Sequence, residues 1–457
     1  MLLGESRLFE VLRRALEEAP GDAKEALFIG SEQGLTRYAE SCIHQNMLVR
    51  DRLVSFRIAA GKRIGTASTS SLEEEDLRRT AQSAFEAARH QPEIPHFEGF
   101  PAPSPVRRVK SHFAPTARTN ARARARAVKG VFDRARKSGV RIAGSFATAE
   151  SEVAVLNSNG LARHQPFTSA AMTVFALSDS VSGYADAYSC DVRAVEPAAL
   201  AERAIEKCLR GRNPKEIPPG RYDVVLEPTA VSEVMEWFSF TAFNPKAYDD
   251  GMSFLEGRKG KRVMGENVTI YDDGLERGGL PMPFDYEGSP KRKVTFVRRG
   301  RGRDIVCDSL YGAKLGRPST GHALPPGDPD RAMPLNLFME AGDSTEEEML
   351  LALDRGVWVT KFHYLNGYLE PKQAVMTGMT RDGAFWVEGG KIQSGIANMR
   401  FTQGMLEAFS NIERISKKRR PIKTWWSDVG ANTVPALLIR NFAFTGRQET
   451  SSKTPDA

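Results

Sequence analysis

The side chains that could bind a metal or attack a carbonyl lie far apart along this sequence. A zinc site of the protease type needs imidazoles, thiolates or carboxylates at short helical spacing. The seven histidines show no such spacing, and the sequence predicts no metal ligand. We therefore interpret each of them as a structural or surface residue: His44, His90, His96, His112, His164, His322 and His363.

Two further kinds of catalytic site find little support in the sequence. A serine or cysteine nucleophile on a strand-to-helix elbow is typically marked by GxSxG, which does not occur. The glycines of RRGRGRD, residues 298–304, could mimic a phosphate-binding loop, but no GK[ST] follows them. The flanking stretches KVTFV and DIVCD instead predict two strands joined by a tight hairpin turn.

One predicted helix, VSEVMEWFSFTAF at residues 231–243, carries both carboxylates and aromatic rings. Its apolar residues recur at helical spacing, namely Val231, Val234, Met235, Phe238 and Ala242. We interpret Glu233 and Glu236 as solvated or paired with basic residues, although two neighbouring carboxylates can also hold a cation. The aromatic residues predict a surface for packing against a core or a partner chain.

Composition limits the classes of protein to consider. With 457 residues, 41% of them hydrophobic, the chain is long enough for two or three domains. Its net charge of +7 is dispersed, which argues against nucleic acid as the main partner. The four cysteines, Cys42, Cys190, Cys208 and Cys307, form no CxxC pair and favour a reducing cytoplasm. No signal peptide and no membrane span are expected.

Proline-rich and polar stretches divide the sequence into segments. We predict an N-terminal α+β domain (1–91), a Pro-rich linker (92–112), a middle α+β domain (113–210), a sheet-rich C-terminal domain (221–446) and a disordered tail (447–457). The predicted fold class is α+β, with N-terminal and middle α/β-sandwich-like domains and a larger mixed, sheet-rich C-terminal domain. A doubly wound sheet is disfavoured because no regular βαβ alternation appears.

Local patterns predict individual elements within these segments. ALFIG and LTRYAE in the first segment, RIAGSFATA and EVAVLN in the middle and AVMTGMT and AFWVE in the last are predicted as separate strands. Ser71 with Glu74, and Ser344 with Glu347, predict capping boxes at two helix starts. The basic stretch KKRR is predicted to follow the last helix.

The stretch NARARARAVKGVFDRARK predicts a packed helix with a solvated basic face rather than a nucleic-acid arm. Its predicted apolar stripe consists of Ala121, Ala125, Val128, Phe132 and Ala135.

Longer motifs connect these segments. The stretch FDYEGSPKRKVTFVRRGRGRDIVCDSLYGAKLGRPSTGHA, residues 284–323, contains EG-x-P and ends in STGHA. FRIAAGKRIGTAST, LNSNGLARH, NLFMEAGDSTEEEML and GAFWVEGGKI accompany it elsewhere. Together, over residues 5–415, these motifs resemble the TldD/TldE (PmbA) family of zinc metallopeptidases, once described as modulators of DNA gyrase. The 284–323 stretch resembles the TldE side of that family.

The resemblance matches the predicted helix at 231–243 with the metal-binding helix of the family. TldD-type chains carry HExxxH there, with a cysteine from the C-terminal sheet as a further zinc ligand. Histidines five residues apart lie about 140° around an ideal helix, so such a helix must be distorted to bring them together. In this sequence the corresponding positions hold Glu236, Trp237 and Thr241, and no cysteine follows Cys307.

The resemblance therefore implies a TldE-like subunit that binds no zinc and is not catalytic alone. Zinc is expected in a TldD-like partner, and the heterodimer is expected to enclose a chamber for unfolded peptides; a homodimer is the competing assembly. The sequence assigns no substrate-binding residue. The alternative is a non-enzymatic, gyrase-modulator-like regulatory protein that binds a partner through its basic surface.

The segment boundaries can be tested by limited proteolysis. We expect first cuts within residues 92–105 and 210–220, because few contacts cross such linkers and a protease needs locally unfolded chain. Mass spectrometry of the early fragments locates the cuts. First cuts inside 222–320 would contradict the division.

Overall fold

The computed structural model describes residues 2–178, 181–426 and 430–447. Two β-sheets organise them. One has six strands in the order β3-β2-β1-β4-β5-β6, and the other is a mixed sheet of eleven strands. The predicted α+β fold class is confirmed. None of the helices in these ranges is long and apolar enough to span a membrane.

The elements follow one another in two groups. The helices are α1 (Glu5–Glu18), α2 (Glu74–His90), α3 (Ala114–Ala117), α4 (Ala121–Ser138), α5 (Pro197–Arg210), α6 (Pro228–Phe238), α7 (Pro245–Asp249), α8 (Ser309–Lys314), α9 (Glu346–Leu351) and α10 (Met405–Ser410). The six-stranded sheet contains β1 (Ala23–Ala39), β2 (Cys42–Ala60), β3 (Arg63–Thr69), β4 (Arg141–Asn157), β5 (Ala162–Leu177) and β6 (Ser182–Ser189). The larger sheet contains β7 (Gly220–Leu226), β8 (Ile270–Asp272), β9 (Val294–Arg298), β10 (Arg301–Gly302), β11 (Asn336–Met339), β12 (Arg355–Glu370), β13 (Val375–Glu388), β14 (Lys391–Gly395), β15 (Met399–Gly404), β16 (Ile412–Lys423) and β17 (Ala431–Arg447).

The N-terminal and middle segments build the six-stranded sheet together. Each contributes three strands, and β1 pairs antiparallel with both β2 and β4. The stretch 91–112, which contains the prolines, runs without helix or strand between the two halves of this sheet. The boundaries of the predicted domains stay predictions, because sharing a sheet does not decide whether the segments unfold separately.

Several predicted strand pairs are in fact single long strands. ALFIG and LTRYAE both lie in β1, RIAGSFATA and EVAVLN both lie in β4, and AVMTGMT and AFWVE both lie in β13. Predicting separate strands was wrong because pairing on both sides carries the ladder through residues of low strand propensity. Gly34 in β1 is such a residue: a Cβ there would lie 2.3 Å from an Nη atom of Arg124.

Arg124 also changes the expected face of α4. Its guanidinium is buried and donates hydrogen bonds to the hydroxyls of Thr36 at 3.1 Å and Thr148 at 3.0 Å. Val128 and Ala135 are buried as predicted. The residues Ala121, Ala125 and Phe132 lie at the flanks instead, and the buried stripe is Arg124, Val128, Val131 and Ala135. The remaining arginines of this stretch lie outside that stripe.

Neither capping box forms as predicted, since the one at Ser71 is absent and the other lies one residue later. The Ser71 hydroxyl accepts from the Glu73 N–H at 3.1 Å, and α2 begins after Glu73 without a side-chain cap. The second box exists one residue further along. There the Thr345 hydroxyl accepts from Glu348 N at 3.1 Å and the Glu348 carboxylate accepts from Thr345 N at 2.7 Å.

The basic stretch KKRR at 417–420 lies inside β16, which pairs with β17. Lys417 and Lys418 are exposed, whereas Arg419 and Arg420 are half-buried and pair with Glu276 and Asp186. The hairpin at RRGRGRD is confirmed, since β9 pairs with β10, but DIVCD forms no strand. All but the first residue of the predicted tail lies outside the described residues.

A buried ion triad joins the six-stranded sheet to a turn of the C-terminal segment. On β2, Arg57 donates at 2.8 Å to Glu25 of β1 and at 2.8 Å to Glu287 in the turn of the EG-x-P motif. The three side chains are at most 9% exposed. Burial raises the pKa of Glu25 to about 7, although the Arg57 charge opposes that rise. Arg57 therefore holds a carboxylate of the sheet and a carboxylate of this turn within one low-dielectric site.

Replacing Arg57 by Met tests how far the fold depends on this triad. We expect Arg57→Met to lower the free energy of unfolding by about 3 to 5 kcal/mol, because both carboxylates would lose their charged partner while staying buried. Urea denaturation followed by circular dichroism measures the change.

The matched control is Arg63→Met on the neighbouring strand. Arg63 pairs with Glu93 at 3.3 Å, but both side chains are largely exposed, so the expected loss is about 0 to 1 kcal/mol. Equal losses in the two variants would contradict a special role for the triad.

Candidate functional site

In the sequence resemblance, the metal-binding helix of TldD-type chains corresponds to α6. It begins directly after β7, with Glu227 at the N-cap and Pro228 in the first turn, where proline needs no N–H partner. The helix lies against β12 and β17. The buried face contains all the apolar residues predicted for it: Val231, Val234, Met235, Phe238 and Ala242.

A π-helical turn, Ser239–Phe243, continues α6. In a π-helix the hydrogen-bond spacing is five residues instead of four, which is the kind of distortion that an i, i+5 motif requires. The Asn244 side chain stabilises this turn, because its amide donates to the carbonyls of Ser239 at 2.9 Å and Phe240 at 2.7 Å. The distorted helix is therefore present in this chain, whereas the histidines of the motif are not.

Glu236 occupies the first motif position and is buried. Its Oε1 accepts a hydrogen bond from the backbone N–H of Trp425 at 2.8 Å. Burial raises the pKa of Glu236 to about 8, and the Trp425 N–H only partly offsets this effect. The carboxyl group is therefore protonated at neutral pH.

Glu233 lies one turn earlier in a similar environment. Its Oε2 accepts from the backbone N–H of Phe362 at 2.6 Å, and burial raises its pKa to about 8 despite the charge of Lys361. Our interpretation of these glutamates as solvated or paired with basic side chains was wrong for Glu236, which is buried, whereas Glu233 is half-buried and lies near the charge of Lys361. A signal for burial was present in the sequence, because apolar residues surround both glutamates on all faces of the helix.

The other two motif positions serve packing and local backbone structure. Trp237 contacts Tyr368 edge-on at a ring-centroid distance of 5.0 Å, and its ring covers Gly367, where a Cβ would lie 2.7 Å from the indole. The Thr241 hydroxyl donates to the carbonyl of Trp237 at 2.8 Å. Phe240 contacts the ring of Trp425. The predicted role of these rings as a packing surface is confirmed.

The donor atoms at these positions do not fit zinc. A zinc ligand must be a deprotonated thiol or carboxylate or a neutral imidazole. Among the three residues only Glu236 has a suitable donor, because Trp237 presents an indole and the Thr241 hydroxyl donates to the backbone. In residues 2–178, 181–426 and 430–447, no three His, Cys, Asp or Glu side chains form a group that could hold a metal ion.

Three histidines are instead bonded to carboxylates. His112 contacts Glu150 and His164 contacts Glu152, each at 2.9 Å. The fully buried His322 lies 2.9 Å from Asp272. These contacts agree with the structural interpretation of the histidines.

The signature motifs at 284–323 meet around Asp285, which sequence reasoning did not single out. One carboxylate oxygen accepts from the N–H groups of Glu287 and Ser289, and the other accepts from Ala323 N at 2.9 Å. Asp285 thus connects EG-x-P to STGHA, although residues 291–318 separate the two motifs in the sequence. Residues of both motifs therefore stabilise one buried turn. This turn places Glu287 within hydrogen-bond distance of Arg57.

A comparison with protein families decides what this half of the chain is. The model of the PmbA/TldA metallopeptidase C-terminal domain matches residues 219–446. Through this region, the chain belongs to the PmbA/TldD metallopeptidase family. The matched range includes α6, its π-helical turn, and the motifs around Asp285.

Individual PmbA/TldD relatives align over part of their length. A metalloprotease from Methanothermobacter thermautotrophicus is 25% identical over 292 residues, which make up 60% of this chain and 62% of the relative. Metalloprotease PmbA from Escherichia coli O157:H7 is 27% identical over 164 residues, 35% of this chain and 33% of that protein. The aligned regions thus span less than two thirds of these metalloproteases.

The PmbA/TldD likeness in fold extends beyond residues 219–446. The crystal structure of TldE from Thermococcus kodakarensis superposes with a TM-score of 0.86 at 19% identity, covering 96% of this chain and 100% of that chain. The six-stranded sheet is therefore part of the shared fold.

The buried Glu236 makes stability depend on pH. Its carboxyl keeps a proton in the native state up to about pH 8, whereas in the unfolded chain it loses the proton near 4.5. Native stability from this group therefore falls as the pH rises between these values, by about 1.4 kcal/mol per pH unit. We expect Glu236→Gln to become progressively more stable than the wild type over this interval, because an amide cannot ionise.

Thermal unfolding of both proteins from pH 5 to pH 9 measures this difference. Glu98→Gln, at an exposed linker position, is the control, for which we expect no such trend. A Glu236→Gln variant whose stability relative to wild type does not change with pH would show that Glu236 does not carry a raised pKa.

Proposed function

We propose that this protein is the TldE/PmbA-like, non-catalytic subunit of a zinc metallopeptidase that processes unfolded peptides. The proposal rests on one observation: the distorted helix is present, but the residues at its three motif positions are not zinc ligands. Helix α6 keeps the π-helical turn that an HExxxH motif requires, while its three motif positions hold a protonated carboxyl, an indole and a bonded hydroxyl. A TldD-like chain with HExxxH is the partner that this proposal requires.

The division of labour follows from the chemistry of each chain. A zinc ion in the partner would supply the activated water and polarise the scissile carbonyl. This chain would supply shape and apolar surface. Beside α6, Trp425 is 68% exposed and Tyr368 is 53% exposed, so aromatic rings face solvent where a partner chain or an unfolded peptide can pack. A homodimer with the same surfaces is the competing assembly.

Reconstitution tests the proposal directly. We expect no peptide hydrolysis by this chain alone, and chelator-sensitive hydrolysis of an unfolded peptide such as reduced casein when the chain is mixed with its HExxxH-bearing partner. Elemental analysis is expected to find zinc in the mixture but none at stoichiometric level in this chain alone, because its ligand positions do not fit zinc. Activity of this chain alone that a chelator abolishes would refute the proposal.

Restoring the motif letters provides a further control. The triple variant Glu236→His, Trp237→Glu and Thr241→His regains HExxxH, but it loses the ring that packs on Gly367 and Tyr368, and no cysteine follows Cys307. We expect weak zinc affinity and no activity without a partner, since imidazoles also need hydrogen-bond partners that orient them.

A further inference from the structure

A large cavity lies at the N-terminal end of α6, where Glu227 and Pro228 form part of its lining. It has a volume of about 920 Å³ and lies between α5, α9 and the strands β12 and β16. This volume falls at the upper end of the range of ligand-binding cavities, roughly 300 to 1,000 Å³. Its apolar lining comes from Leu350, Trp358, Phe385 and Ile392.

A bulge in β16 directs two lysines to this cavity. Ile415 pairs with Leu437 and Arg419 pairs with Pro435, so residues 416–418 lie opposite the single residue Ala436. In a regular strand, neighbouring side chains point to opposite faces. Here the bulge lets the adjacent Lys417 and Lys418 both line the cavity, and bulges of this kind commonly re-aim side chains at functional sites.

The bulge is held in place by Ser416. Its hydroxyl accepts from the N–H of Ala436 at 2.9 Å and donates to the carbonyl of Lys418 at 2.7 Å. These bonds replace ladder bonds that the irregular pairing interrupts, and Pro435 has no N–H to contribute. The placement of the two lysines is therefore a built feature of the sheet.

The basic groups of the cavity divide into paired and free ones. Lys207 bonds Glu227 at 2.7 Å, Arg210 bonds Glu206 at 2.7 Å, and Arg420 contacts Asp186 at 3.5 Å. Within the part of the chain that the structure describes, three further basic side chains have no carboxylate at ion-pair distance: Arg203, Lys417 and Lys418.

Two acids complete the lining. Glu346 and Glu347, at the start of α9, reach the same cavity and are exposed. Hydrogen bonds at the start of α9 and the charges of Lys418 and Lys417 lower the pKa of Glu347, so these lysines face an acid of the same lining without contacting it at ion-pair distance. A suitable ligand therefore has an anionic group for Arg203, Lys417 and Lys418, an apolar group for the indole and phenyl rings, and N–H donors for the two glutamates. The end of a peptide chain combines all three, since its terminal carboxylate lies next to backbone N–H groups and a side chain.

We propose that this cavity binds the C-terminus of a peptide that ends in an apolar residue. The carboxylate lies against Arg203, Lys417 and Lys418, and the last side chain packs on Trp358 and Phe385. The choice of a peptide rests on the proposed function, whereas the requirement for a carboxylate joined to an apolar group rests on the cavity alone.

Isothermal titration calorimetry of the full chain tests this site with N-acetyl-Gly-Gly-Phe as the free acid and as the C-terminal amide. We expect the acid to bind at least tenfold more tightly, because a charge-assisted contact to the lysines is lost in the amide. The double variant Lys417→Ala, Lys418→Ala should lose this tenfold preference. The control Arg136→Ala, Lys137→Ala, which removes two exposed charges of α4, should keep it.

The outcomes separate the two parts of the proposal. Equal affinity for acid and amide, or an unchanged preference in the lysine variant, would overturn the site. N-acetylphenylalanine binding as tightly as the tripeptide acid would overturn the peptide assignment. Lys417→Gln, Lys418→Gln gives the same test if the alanine variant unfolds. The titration needs neither a partner nor hydrolysis, so its failure is distinct from failure of the proposed peptidase function.

Discussion

Burying a carboxylate requires either a compensating charge or a retained proton, and this fold depends on how it meets that requirement. Where segments from distant parts of the chain meet, the compensation is a cation. Arg57 pairs with Glu25 of the six-stranded sheet and with Glu287 of the EG-x-P turn, and Lys207 pairs with Glu227 between α5 and the start of α6. Each of these contacts satisfies a charge and fixes the position of one segment relative to another.

The candidate site uses the second solution. Glu233 and Glu236 have raised pKa values and accept hydrogen bonds from the backbone N–H groups of Phe362 and Trp425. A protonated acid can lie among aromatic rings, so the buried Glu236 is compatible with the packing of α6 as a core helix. The π-helical turn that follows α6 is kept in this packed arrangement.

Sequence reasoning succeeded where the signal is periodic and local. The apolar stripe of α6, the mixed fold class and the motifs of the family resemblance all depend on residues that are close together in sequence. It failed where contacts between residues distant in sequence determine burial. Glu233 and Glu236 find their N–H donors 129 and 189 residues further along the chain, and Arg124 is buried because Gly34, in another segment, leaves room for it. The basic residues of β16 indicated a solvent-exposed segment. They form a strand because β16 pairs with β17.

The central place of β1 in the six-stranded sheet also bears on synthesis of the protein. Its first neighbour, β2, follows immediately, but its other edge is covered by residues 144–157 of β4. As the chain leaves the ribosome, one edge of β1 stays unpaired until more than a hundred further residues have been translated. During that interval, an open strand edge with the apolar residues of the growing sheet is exposed to other nascent chains. Timely production of β4, rather than the stability of the finished sheet, then determines whether this protein escapes aggregation.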